Sequence, residues 1–169
     1  MRILAVLPLL ASLCAPVVKP ADEPVVASHA ATTRTHLVEA LAVLHSWDGH
    51  RAGAWARADP DALRALYVSG SAAGRADLRL LRAYRARGLV VRRLVTQVFA
   101  VRVLRRTGSV LRLRVFDRVA GGEVLEHGTV VPLRSSPPVT RTITFRLDSG
   151  TWRVSEVSGS GRGPRAARP

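Results

Sequence analysis

At 169 residues the chain is long enough for one domain with a sizeable core plus tails. Lys+Arg 26 against Asp+Glu 12 gives a net charge of +14, which raises nucleic acid, anionic lipid or an acidic polymer as partners. Base-reading and stacking proteins need clustered charge with aromatic platforms, whereas here the arginines run through every segment, so specific nucleic-acid binding is disfavoured.

Lys19 is the only lysine, and with so much Ala, Val, Leu and Gly the composition reads as GC-rich bacterial coding. Residues 1–18 place Arg2 before an apolar run from Ile3 and then small residues and prolines, the order of a secretory signal. Pro8 interrupts the run, which is shorter than the ~20 apolar residues of a membrane span. Ala15, Ala27 and Ala30 are all suitable ends for the signal, so cleavage as late as residue 30 is open. Cys14 suggests a lipoprotein, but Leu13 before it does not fit a lipobox. A chain cleaved beyond Cys14 has no thiol and no disulfide, so export is expected and stability must come from packing.

Residues 19–34, rich in Pro, Ala and Thr, read as a disordered linker. From Thr35 the pattern is helical, with Leu37, Leu41, Leu44, Asp48, Arg51 and Trp55 on one stripe. Asp59 and Pro60 are the N-cap and first residue of a short helix over 61–67. VSGSAAG breaks the chain before a third helix carrying Leu78, Leu81 and Tyr84, which Gly88 closes. The period then changes to alternation: LVVRRLVTQVFAVRVL, VLRLRVFDRV, HGTVVPL, RTITFRL and TWRVSEV read as strands, with turns at Gly108-Ser109, Gly121-Gly122, a Ser-Ser-Pro-Pro break and Asp-Ser-Gly. Residues 158–169 read as a disordered basic tail. Three helices followed by about five antiparallel strands define an α+β fold with the helices on one face of the sheet.

Residues 35–157 also carry local signatures of a known group. W-D in the first helix, then A-W-A-R-A-D-P-D-A-L, L-Y and V-S-G-S-A-A-G, with closing strands L-R-V-F-D-R-V, R-T-I-T-F-R-L and T-W-R-V-S-E-V, resemble the nuclear-transport-factor-2-like (SnoaL-like) superfamily. The resemblance implies a cystatin-like cone, a strongly curved sheet of about five strands wrapped around three helices. With the GC-rich composition it implies an exported bacterial, actinobacterial member. The superfamily often has a strand between its second and third helices, where this chain offers only VSGSAAGRAD.

Candidate chemistry centres on LHSWDGHRAGAW, residues 44–55. At 100° per residue His45 lies at the edge of the apolar stripe and His50 points toward solvent. Their i,i+5 spacing does not suit a shared metal, and no motif asks for a cofactor. Asp48 and Arg51 are charges on an apolar stripe, and such charges must be paired or line a cavity. The bland reading is an internal Asp48–Arg51 pair, or Asp48 accepting hydrogen bonds from a neighbouring loop. The functional reading lines a pocket with Trp47, Asp48, Arg51, Trp55, Tyr67 and Tyr84. Asp117 continues the apolar face of Leu111, Leu113 and Val115; it is either a general base or the partner of an arginine such as Arg93 or Arg141. Glu123 and Glu126 flank a turn and read as solvated, and neither V-S-G-S nor GSGRG sits in a nucleophile-elbow or phosphate-loop context.

No complete catalytic set emerges. The expectation is a non-catalytic, envelope-associated module that binds a small apolar ligand or an envelope protein, with electrostatic contact to anionic wall polymer or lipid. The alternative is a SnoaL-type isomerase, cyclase or dehydratase using Asp48 or Asp117 as base. That alternative fails if Trp47, Trp55 and Phe99 fill the cone. The resemblance also leaves a homodimer open.

Overall fold

The computed structural model describes the backbone of residues 25–162 and the side chains of residues 33–159. The expected signal, Cys14, linker residues 19–24 and tail residues 163–169 lie outside the described residues. The order is α1 (Val25–Ala56), α2 (Pro60–Ala65), α3 (Ala72–Ala86), then β1 (Leu89–Arg106), β2 (Val110–Glu126), β3 (Thr129–Pro132), β4 (Val139–Asp148) and β5 (Thr151–Arg162). The strands form one antiparallel sheet in the order β1-β2-β4-β5, with β3 paired to the far end of β2. This is the α+β arrangement expected from the change of period.

Burial explains why the helices lie where they do. On α1, Ala40, Leu44, Trp47 and Ala54, at steps of four, three and seven residues, are buried together with Trp55. On β2, Leu111, Leu113 and Val115 alternate inward and meet Phe145 and Ile143 of β4 in register, all at 0% exposure. Val154 of β5 and Leu63 of α2 complete this centre.

Asp59 caps α2 as read from the sequence: its carboxylate accepts from the backbone N–H groups of Asp61 and Ala62, both at 3.0 Å. The bond from Ala62 is the larger cause of a carboxylate pKa below its ordinary value. Ser71 caps α3, and Gly88, at φ 70°, ends it in the left-handed region. Between α2 and α3 there is no full strand. Tyr67 makes a single parallel bridge to Val154, with Val68 N donating to Val154 O and Val154 N donating to Leu66 O.

Four expectations are corrected. The helix starts at Val25 rather than Thr35: residues 25–34, assigned to the linker, contain no Pro or Gly to break the helix and extend α1. Gly121-Gly122 is not a turn: β2 runs on to Glu126 and turns at His127-Gly128. The glycines instead face the irregular part of β1, where the register shifts between Arg92, Val95 and Thr96. A Cβ on Gly122 would stand 3.2 Å from Arg92 O and 3.3 Å from Arg93 O. The strand β5 extends past residue 157 to Arg162, because Ser158, Gly161 and Arg162 pair with Thr142, Thr140 and Val139 of β4. Glu123 is bridged to Arg93 at 2.8 Å rather than simply solvated.

One glycine positions the helical corner. A Cβ at Gly74 would lie 2.7 Å from both Cβ and Cγ of Tyr67, so only glycine lets that ring lie across the first turn of α3. Propensity alone would make Gly74→Ala stabilising by about 1 kcal/mol. The clash reverses the sign, and the variant is expected to lose about 2 kcal/mol in urea unfolding. A neutral or stabilising result contradicts this contact.

Candidate functional site

Arg51 on α1 does not pair with Asp48. It reaches across to α3, where its Nε and Nη2 donate to Oδ2 and Oδ1 of Asp77, each at 2.7 Å. The Tyr67 hydroxyl, from the α2–α3 corner, donates to the same Oδ2 at 2.8 Å. The Asp77 side chain is 8% exposed and that of Arg51 21%. Three residues along a helix turn a side chain by 60°, which sends Asp48 toward β1 and Arg51 toward α3. Asp48 accepts instead from Thr96 Oγ1 of β1 at 3.0 Å, so its partner comes from a strand and not from a loop.

Aromatic rings continue the cluster on both sides. Trp47 meets Tyr67 and Phe145 edge-on, with centroids 6.1 and 6.0 Å apart. Trp55 meets Tyr84 edge-on at 5.6 Å, and the Arg51 guanidinium lies 5.9 Å from the Trp55 ring centre. Trp47, Trp55 and Tyr67 are buried core residues, and Tyr84 packs against them. Trp47 Nε1 and Trp55 Nε1 are buried with no hydrogen-bond acceptor. Phe99 does not join this core; at 46% exposure it packs on Phe116 on the outer side of the sheet.

A cleft opens beside the cluster, between α1, α3 and the sheet. One chamber of about 370 Å³ is lined by Trp47, Arg51, Tyr67, Ala76, Asp77 and Arg141, among others. A second, of about 140 Å³, is lined by Arg51, Trp55, Tyr84, Val91 and Leu94 on its more apolar walls. Arg51 and Leu80 border both. Arg141 of β4 holds Asp117 of β2, donating from Nε at 3.0 Å and Nη2 at 2.5 Å. Asp117 is 2% exposed and, like Asp48, is not among the residues lining either chamber. The cleft thus brings Trp47, Arg51, Trp55, Tyr67 and Tyr84 together and leaves both candidate bases outside.

His45 and His50 are exposed on α1, and His50 Nδ1 lies 3.5 Å from Ser46 Oγ. Among the described residues no group of three metal-ligating side chains converges. Asp77 was not singled out by the sequence reading. The signal that finds it is its own stripe: Asp77, Leu81 and Tyr84 recur at four- and three-residue steps, a charge on an apolar face.

These contacts move two ionisations. Burial disfavours the charge of Arg51, but the hydrogen bonds and attraction of Asp77 outweigh it and raise its pKa. Burial, then the charge of Asp77, raises the Tyr67 phenol above its ordinary value, against the opposing pull of Arg51.

The fold is the α+β arrangement expected from the sequence, three helices packed on one face of a five-stranded antiparallel sheet. Among solved structures, the chain is similar to the intermembrane space region of the chloroplast protein ARC6, with TM-score 0.51 and 14% identity over 76% of this chain and 96% of that one. It is also similar to Aln2 from a Streptomyces species, with TM-score 0.49 and 16% identity over 70% and 88% of the two chains. An NTF2-like protein with a cystatin-like fold from Novosphingobium aromaticivorans aligns with TM-score 0.47 and 17% identity over 86% and 95%. No family model matches the sequence, and no curated protein matches it.

Two outcomes follow from the cluster. Asp77→Asn leaves Arg51 largely buried beside a neutral amide and is expected to lose about 3 kcal/mol. Tyr67→Phe leaves the ion pair intact and is expected to lose about 1–2 kcal/mol. Equal losses in urea unfolding would contradict the assigned roles. Because the folded pKa of Tyr67 is raised, its contribution is present below the unfolded phenol value of about 10 and is lost as pH rises beyond it. Stability should therefore fall above about pH 10, and Tyr67→Phe should flatten that fall. An unchanged alkaline profile in the variant would contradict the shift.

Proposed function

We propose that this is an exported, non-catalytic domain of the cell envelope whose cleft binds a small, largely apolar ligand carrying one polar or anionic group. The reading rests on one observation: the carboxylate in the cleft, Asp77, is held by Arg51 and Tyr67, while Asp48 and Asp117 are engaged outside it. An acid–base isomerase needs a carboxylate free to take a proton from its substrate. This cleft instead presents aromatic walls and the edges of two guanidinium groups, a combination suited to holding an apolar body by one polar end. Export rests on the order of residues 1–18. Cleavage after Ala15 would leave α1 whole, whereas cleavage after Ala27 or Ala30 would remove its first residues.

Trp47 is an internal reporter. The probe anilinonaphthalenesulfonate, an apolar body with one anionic group, is expected to quench tryptophan fluorescence saturably without lowering the unfolding temperature. Ala76 is exposed, lines the larger chamber, and takes no part in the hydrogen bonds to Asp77. Ala76→Trp should fill the chamber and weaken probe binding at least about tenfold with the fold intact. Probe binding that is equal in the variant would remove the cleft as the ligand site.

A further inference from the structure

In sequence the arginines are spread along the chain, but the sheet register gathers several of them. On β2 the even positions alternate outward from Leu111, Leu113 and Val115. Arg112 and Arg114 therefore face away from the helices and are exposed. Their direct cross-strand neighbours on β1 are Arg105 and Arg102, also exposed. Like charges set opposite one another in an antiparallel pair repel, so two successive arginine–arginine pairs are unfavourable for folding alone. Coding bias accounts for arginine in place of lysine but not for this register.

The inward arginines behave differently. Arg51, Arg106 and Arg141 each hold a carboxylate: Asp77, Glu39 and Asp117. Among the described residues, none of the four outer arginines is in an ion pair. Arg146 of β4 extends the face beside Val110, and Arg118 extends it beyond Phe116. Acidic residues on the outer side of the sheet are Glu156, opposite Thr144, Asp148, which is held by Arg153, and Glu123 at the far end of β2, which is held by Arg93.

Apolar side chains interleave with the charge. Phe99 and Leu104 are extra residues at the two outer irregularities of edge strand β1, 46% and 38% exposed. Arg118 lies 5.7 Å over the Phe99 ring and Phe116 packs beside it, so this ring is not a free platform for stacking a base. A second copy placed two-fold on this face would set arginine against arginine. Phosphate headgroups above an apolar boundary match both chemistries, because guanidinium groups hold phosphate while Phe and Leu enter the boundary.

We infer that the outer β1–β2 face, with Arg102, Arg105, Arg112 and Arg114 around Phe99 and Leu104, docks the domain on an anionic lipid surface. This surface is separate from the cleft, and no helix of the described residues is long and apolar enough to cross a membrane.

The test is co-sedimentation of the full chain with vesicles of phosphatidylcholine alone and with added phosphatidylglycerol. Every variant carries the same N-terminal segment, so differences between variants read the folded surface. The full chain should bind the anionic vesicles preferentially at low salt. Replacing the four sheet arginines by Gln should weaken that binding about a hundredfold or more. Replacing exposed Arg79, Arg82, Arg85 and Arg87 by Gln, the same change of charge, should weaken it less than about tenfold. Phe99→Ser with Leu104→Ser should also weaken binding and leave a contact that salt removes more easily. Equal losses in the two arginine variants would reduce the effect to net charge and overturn the proposal. Binding of single-stranded DNA as tight as vesicle binding, and indifferent to Phe99 and Leu104, would make the occupant a polymer and overturn it as well. So would a dimer that hides the face.

Discussion

The Asp77 carboxylate is the point on which the helical layer depends. It accepts two hydrogen bonds from Arg51 of α1 and one from Tyr67 of the α2–α3 corner, and it belongs to α3. A buried carboxylate is costly unless its lone pairs are satisfied, and here three donors converge on it. Because the donors come from separate elements, satisfying the carboxylate fixes those elements relative to one another. The aromatic contacts pass the same constraint outward, from Tyr67 to Trp47 to Phe145 in the sheet, and from Arg51 to Trp55 to Tyr84.

The cleft follows from that geometry. Arg51 is drawn toward α3, so it stands at the border of both chambers and does not lie along α1 against Asp48. On the sheet side Arg141 answers Asp117 in the same way. Each guanidinium spends its Nε and one Nη on the carboxylate and keeps its remaining edge, a fixed donor on a rigid element. The chemistry left for a ligand is donation and apolar contact. Proton abstraction would require breaking one of these pairs first.

Much of the fold was legible in the sequence because it depends on local period. The inward row Leu111, Leu113, Val115 and Asp117 is plain alternation, and the Asp59 cap acts within its own turn. What was not legible depends on register or on long separations. Asp48 and Arg51 stood out as charges on an apolar stripe, but a helical stripe gives a direction and not a partner, and Asp77 lies 26 residues from Arg51. Gly121-Gly122 reads as a turn because paired glycines serve a turn and a close backbone approach equally well. The outer arginine pairs could be seen strand by strand. Their juxtaposition arises only from the bulges that set the register of β1 on β2.

A double-mutant cycle tests the central claim most directly. Arg51→Met, Asp77→Leu and the double variant are compared with the parent by urea unfolding. If the pair acts as one buried unit, each single change leaves an uncompensated charge, whereas the double change packs apolar side chains into the same space. The expected coupling is about 3 kcal/mol, with the double variant more stable than either single. Additive losses, with the double variant the least stable, would show that Arg51 and Asp77 contribute independently and would contradict the account.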